Sequence, residues 1–209
     1  MTPRGQHATH RPAVRRVRWF VVSALLVVVT LLGLLPVSVV RAASQDEMRV
    51  HAAYVLNFVR YSQWPAPGDG PIVVTVLGTA PDATVLRELA ARAGTIQGRP
   101  LSVRLLSLAS IPPEHSSAVR AIAGATAGSH VLYVGSSHRA WSRAVGAAAA
   151  ARPLLTVGPG PGFVAAGGMF GLYLDGGHVR FAINAPAIKA SPVVVSARLI
   201  SLARPGPGG

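Results

Sequence analysis

Residues 154–202 read LLTVGPGPGFVAAGGMFGLYLDGGHVRFAINAPAIKASPVVVSARLISL, and this run decides the fold. Leu154 to Val157 is a short apolar run of strand character that stops at Gly158. The alternation of Gly and Pro through Gly162 carries neither a strand nor a helix onward, so a shaped surface loop is expected there. Gly171–Leu174 and His178–Ile183 are rich in aromatic and β-branched residues. Asp175, Gly176 and Gly177 between them supply the positive-φ positions that a tight hairpin needs. Val193–Leu202 reads as a closing helix, although Val193, Val194 and Val195 are β-branched and also suit a strand.

Upstream, apolar runs and helical patterns alternate. Ile72–Leu77 is apolar at nearly every position, as a strand covered on both faces must be. Pro100–Leu106 and His130–Val134 read as further strands, with helices expected over Thr84–Ala93, Val119–Ala125 and Arg139–Ala150. This order predicts an α/β sandwich with a mostly parallel central sheet and an antiparallel hairpin at one edge. A helix over Met48–Ser62 precedes them, with Ser44, Asp46 and Glu47 suited to its cap and first turn. Val50, Tyr54, Phe58 and Tyr61 form its apolar stripe, and Ala52, Val55, Leu56 and Val59 widen it. Such a helix must be covered on most sides, leaving Arg49, Asn57 and Arg60 for polar contacts.

Composition narrows the function. Half of the 209 residues are apolar and 13% are charged, which disfavours disorder. The net charge is +13, but Arg4, Arg11, Arg15, Arg16, Arg18 and Arg41 all precede Ala43. Without those six, 14 basic residues face 7 acidic ones, a net charge of +7 carried almost wholly by dispersed arginines. Dispersed arginine describes a solvated surface better than a nucleic-acid footprint, so no nucleic-acid partner is expected. Cysteine is absent, which excludes disulfides and thiolate metal sites.

The first 18 residues are polar and basic, and Trp19–Val40 is an uncharged apolar run. Basic flank followed by apolar run is the pattern of an export signal. Val40 and Ala42 supply the small-residue pair for cleavage between Ala42 and Ala43, so residues 1–42 are expected to be a signal peptide and 43–209 a single domain. The rival reading is an uncleaved N-terminal anchor, since 22 apolar residues suffice to span a bilayer. Either way the domain is expected outside the cytoplasm.

Chemistry-bearing constellations are sparse. A phosphate cradle needs backbone N–H groups, and Pro159 and Pro161 have none to offer. Ser136 and Ser137 suit helix capping. None of His51, His115, His130, His138 and His178 has another histidine at the spacing of a metal motif, so no metal site is expected. Asp82, Glu88, Glu114 and Asp175 sit on different elements and form no acid/base pair, so no catalytic residues and no cofactor are expected. Arg180 and Asn184, an even number apart, would share one face of a strand and could hold an anion or a partner carboxylate. Arg180, Asn184 and Arg198, with Arg60 and His178, are therefore the candidates for ligand or partner contact. A solvated sheet face is the competing reading.

Six ordered segments carry a family resemblance: AAYVLNFVRYSQWP (52–65), VVTVLG (73–78), GRPLSVR (98–104), SHVLYVGSS (129–137), PLLTVGPGPGFVAAGGMFGLYLDGGHVRFAIN (153–184) and SARLISLAR (196–204). Together they resemble the YfiR family of small exported bacterial proteins across nearly all of residues 48–204. The resemblance implies a Rossmann-like three-layer fold, a homodimer and a periplasmic location. It also implies a non-enzymatic regulator that binds and inhibits the periplasmic sensor portion of an inner-membrane diguanylate cyclase, or of another membrane sensor, lowering cyclic di-GMP signalling and biofilm formation. An outer-membrane lipoprotein that sequesters the inhibitor is implied as a second partner. Family members often read R-F-E-I-N where this chain has RFAIN. Arg180 and Asn184 therefore match, while Ala182 replaces the acidic residue. The disulfides of studied members have no counterpart here. The alternative reading is a periplasmic small-ligand binding module, with Arg180, Asn184 and the Gly158–Gly168 loop around a pocket at the carboxyl ends of the strands.

Overall fold

A computed structural model describes residues 37–65 and 68–205. Helix α1 spans Val37–Arg60, beginning well before the Met48 expected from its caps. No Gly or Pro interrupts the chain between Val37 and Arg60, so Ser44, Asp46 and Glu47 lie inside the helix rather than at its start. The expected processing site between Ala42 and Ala43 falls within this helix, and residues 1–36 of the expected leader lie outside the described residues. Among the described residues no helix is long and apolar enough to cross a membrane. The described residues from Ser44 onward form one compact unit.

After α1 come β1 (Ser62–Gln63), β2 (Ile72–Leu77), α2 (Ala80–Ala93), β3 (Thr95–Ile96) and β4 (Arg99–Leu106). A 3₁₀ turn at Leu108–Ser110 leads to α3 (His115–Ala125) and β5 (Val131–Val134). A second 3₁₀ stretch, Ser136–Trp141, runs into α4 (Ser142–Ala149). Then follow β6 (Leu155–Pro159), α5 (Gly160–Ala165), β7 (Phe170–Asp175), β8 (His178–Ile183), α6 (Ala185–Ala190), β9 (Val194–Val195) and α7 (Ala197–Ser201).

Seven strands form the central sheet in the order β3-β4-β2-β5-β6-β7-β8, and β1 pairs with β9 in a separate two-stranded ribbon. β4, β2, β5, β6 and β7 are parallel, while β3 and β8 run antiparallel at the two edges. All six residues of β2 are buried, as its almost wholly apolar run requires. The hairpin joins the sheet asymmetrically, since β7 is parallel to β6 and β8 alone reverses direction. Gly176 and Gly177 turn it with φ of 56° and 78°, the left-handed pair of a two-residue hairpin.

Helices cover both faces, giving the Rossmann-like three-layer α/β architecture. On one face Ala52, Val55, Phe58 and Val59 of α1 and Ala83 and Leu86 of α2 meet Val74, Val76, Val131, Tyr133 and Val157. On the other, Ala118 and Ile122 of α3, Val145 and Ala148 of α4 and Phe163 of α5 meet Leu132 and Val134. The buried polar groups of the sheet are answered. Thr75 Oγ1 bonds Ser129 Oγ at 2.8 Å, and Thr156 Oγ1 accepts from Met169 N at 2.9 Å. α2 begins four residues earlier than its apolar pattern indicates because Thr79 and Asp82 form a reciprocal capping box.

The Gly158–Gly162 run is not a loop. β6 continues through Gly158 and Pro159, and α5 begins at Gly160. Both prolines occupy positions where an N–H is dispensable. The β5–β6 register ends at Tyr133 and Val157, before Pro159 is reached, and Pro161 lies in the first helical turn. Gly160, with φ of 75°, makes the turn between strand and helix. Gly158 and Gly168 hold Phe163 between them, and a Cβ on Gly158 would lie 2.5 Å from that ring. The closing segment also differs from a single helix. β-branched Val194 and Val195 extend to pair with Gln63 and Ser62, and α7 follows.

Candidate functional site

Ligand crevices in open parallel sheets lie outside the carboxyl ends of the strands, where the chain's winding direction switches. Here that point lies between β2 and β5, and Asp82 fills it. Its Oδ2 accepts from Thr79 N and Thr79 Oγ1, each at 2.7 Å. A Cβ on either Gly78 or Gly135, the residues that follow β2 and β5, would lie 2.8 Å from the same oxygen. Glycine just after both strands is thus what lets the carboxylate sit between them.

The open space is displaced sideways, over the carboxyl ends of β5, β6 and β7, as a solvent-connected cavity of about 560 Å³. The turn after β5 brings Ser136 and Arg139 to it, and α4 adds Arg143. The end of β6 and the start of α5 supply the Pro159–Phe163 wall, and β7 supplies Leu172, Tyr173 and Leu174. α1 closes the rim with Glu47 and His51.

His51 is 4% exposed. Its Nε2 stands 3.7 Å from Glu47 Oε1, beyond hydrogen-bonding reach, and is buried without any partner. Burial holds its pKa below the ordinary value against the smaller opposing pull of the Glu47 and Asp82 charges, so the imidazole is neutral at pH 7. Burial, and then the same two carboxylates, push the nearby Tyr133 hydroxyl up, so it stays protonated. The Arg139 and Arg143 side chains are exposed, and among the described residues neither has a carboxylate partner; the ion pair there joins Asp175 to Arg180.

The residues singled out from sequence lie elsewhere. Arg180 Nε donates to Asp175 Oδ2 at 2.7 Å across the hairpin end, on the exposed edge of β8. His178 is opposite Asp175 in the register and exposed. Asn184 lies past the end of β8, so it does not share a strand face with Arg180. It caps α6 by accepting from Ala187 N at 2.9 Å, and it donates to Val164 O at 3.0 Å. Arg198 is exposed on α7 and Arg60 is exposed at the end of α1. None of the five lines the cavity, whereas the Pro159–Phe163 part of the expected pocket loop does.

Glu47, His51, Arg139 and Arg143 were not legible as a group. Glu47 read as a helix cap and His51 as an isolated histidine, and both are brought to the cavity only by the docking of α1. The available signal was the four-residue spacing of each pair, which puts Glu47 with His51 and Arg139 with Arg143.

The described segments coincide with a known family. The family model with the description YfiR/HmsC-like matches residues 48–204, three quarters of the chain. A comparison with curated proteins gives no match. The parallel sheet, its helical layers and the matched span agree, and the chain belongs to the YfiR/HmsC-like family.

Proposed function

We propose that this protein is an exported, non-enzymatic regulator that binds the periplasmic sensor portion of an inner-membrane diguanylate cyclase and holds it inactive. The observation that carries this reading is family membership over residues 48–204. The basic flank and apolar run of residues 1–40 support export, since together they have the form of a targeting segment. Inhibition follows from linkage. A regulator that binds the inactive state of the sensor more tightly than the active one shifts that equilibrium by its differential affinity, with no chemistry of its own. In this reading the protein acts as a homodimer, and an outer-membrane lipoprotein relieves the restraint by competing for it.

The test is capture from solubilised inner membrane of the source cells with the tagged full-length protein, paired with deletion of its gene. Recovery of a sensor with a diguanylate cyclase output domain, and a rise in cyclic di-GMP on deletion, are expected. Unchanged nucleotide levels and no co-purifying sensor would remove the reading.

A further inference from the structure

The cavity over β5, β6 and β7 carries an unbalanced charge. Arg139 and Arg143 both line it, and among the described residues neither guanidinium is matched by a carboxylate. Against these two positive groups the lining holds one carboxylate, Glu47, and the neutral imidazole of His51. One positive charge is left over. Apolar surface from Pro161 and Leu174 lies alongside the charged groups. A second imbalance lies at the rim, where His51 Nε2 is buried without a partner 3.7 Å from Glu47 Oε1. Buried polar groups are answered by protein, water or ligand, and no protein atom answers this one.

We infer that this cavity is a binding site for a small organic monoanion, a carboxylate with an apolar body, whose head group is held by Arg139 and Arg143 while its body lies against Pro161 and Leu174. A guanidinium pair gives planar, charge-assisted donors to a carboxylate, and a single negative charge cancels the excess. A dianion would overshoot, and a neutral molecule would leave the arginines unanswered. The volume of about 560 Å³ is in the range of metabolite sites. This site stands on the cavity itself and does not depend on which membrane protein is the partner.

The test is a ligand ladder on the protein purified without truncation, read by calorimetry and by thermal shift. Acetate, butanoate and hexanoate share the head group and differ in the body, 1-hexanol lacks the charge, and succinate doubles it. Saturable binding is expected for hexanoate, tightening about fourfold per added methylene along the ladder. Hexanol should not saturate, and succinate should bind more weakly than butanoate. R139Q/R143Q should weaken hexanoate by about tenfold or more, with the unliganded melting point unchanged because both side chains are exposed. R180Q/R198Q removes the same charge from elsewhere on the surface and should leave hexanoate binding intact. Absence of saturable carboxylate binding at millimolar concentration, or equal weakening by the two double variants, would overturn the assignment.

Discussion

The Phe58 ring of α1 stacks on the Phe170 ring of β7 with centroids 4.4 Å apart. Phe181 of β8 meets Phe58 edge-on at 5.1 Å, and Tyr54 donates its hydroxyl to Val179 O at 2.8 Å. This cluster fastens the first helix to the hairpin edge of the sheet, and thereby holds His51 and Glu47, one to three turns earlier on the same helix, over the cavity. Both rings are fully buried. Phe58→Ala is therefore expected to cost about 3–5 kcal/mol, measured by urea denaturation, and to loosen the α1 side of the cavity. A loss under about 1 kcal/mol would mean that α1 is not anchored through this ring.

Asp82 and Gly135 are a fitted pair, with the carboxylate standing where a side chain at position 135 would begin. Gly135→Ala places a Cβ 2.8 Å from Asp82 Oδ2 and 3.2 Å from its Cγ. The expected cost is about 1–3 kcal/mol, from displacing a carboxylate that caps α2. In a double-mutant cycle with Asp82→Ala the two losses should be non-additive by about 1 kcal/mol. Strict additivity would break the proposed link.

Two histidines, buried His51 and half-buried His130, give stability a defined pH dependence. His51 is lowered by burial, and His130 is lowered by burial and then by the neighbouring Arg99 charge. Unfolded imidazoles take up protons near the ordinary value of 6.5, whereas the folded ones do so only at lower pH. Between those points the unfolded chain holds more protons, so this stability is complete above pH 6.5 and is lost as pH falls through the folded values. Urea midpoints should therefore drop between about pH 7.5 and pH 5, and His51→Gln should flatten the slope. A slope identical in the variant would assign the effect to other groups.

Arg180 pairs with Asp175 on an exposed hairpin edge, where side-chain exposures are 42% and 57%. Such a pair is screened by water, so Arg180→Ala should change stability by less than about 0.5 kcal/mol. The same variant is expected to weaken capture of the membrane sensor, because its effect then falls on recognition alone. Unchanged capture would take Arg180 out of the interface.

Periodicity and turn chemistry made much of the fold legible. Ile72–Leu77 is a strand with the expected bounds, and Gly176–Gly177 turns the expected hairpin. Misreadings occurred where local rules depend on distant partners. Gly158–Gly162 reads as a loop because proline cannot donate, yet Pro159 and Pro161 sit where no donor is required. Val194 and Val195 become a strand only because Ser62 and Gln63 are available to pair. The caps read at Ser44, Asp46 and Glu47 were suitable residues in a helix that simply continues upstream.

By itself the sequence determined the α/β alternation, the buried character of the central strands, the hairpin and the family, since each is written in residues near one another along the chain. The tertiary structure decided where the cavity lies and what lines it. Asp82 closes the crevice between β2 and β5, and α1, α4, α5 and β7 meet beside it, carrying Glu47, His51, Arg139, Arg143 and Phe163 from positions up to 116 residues apart. Charge balance and burial at such a site are sums over neighbours in space, and no local pattern encodes them.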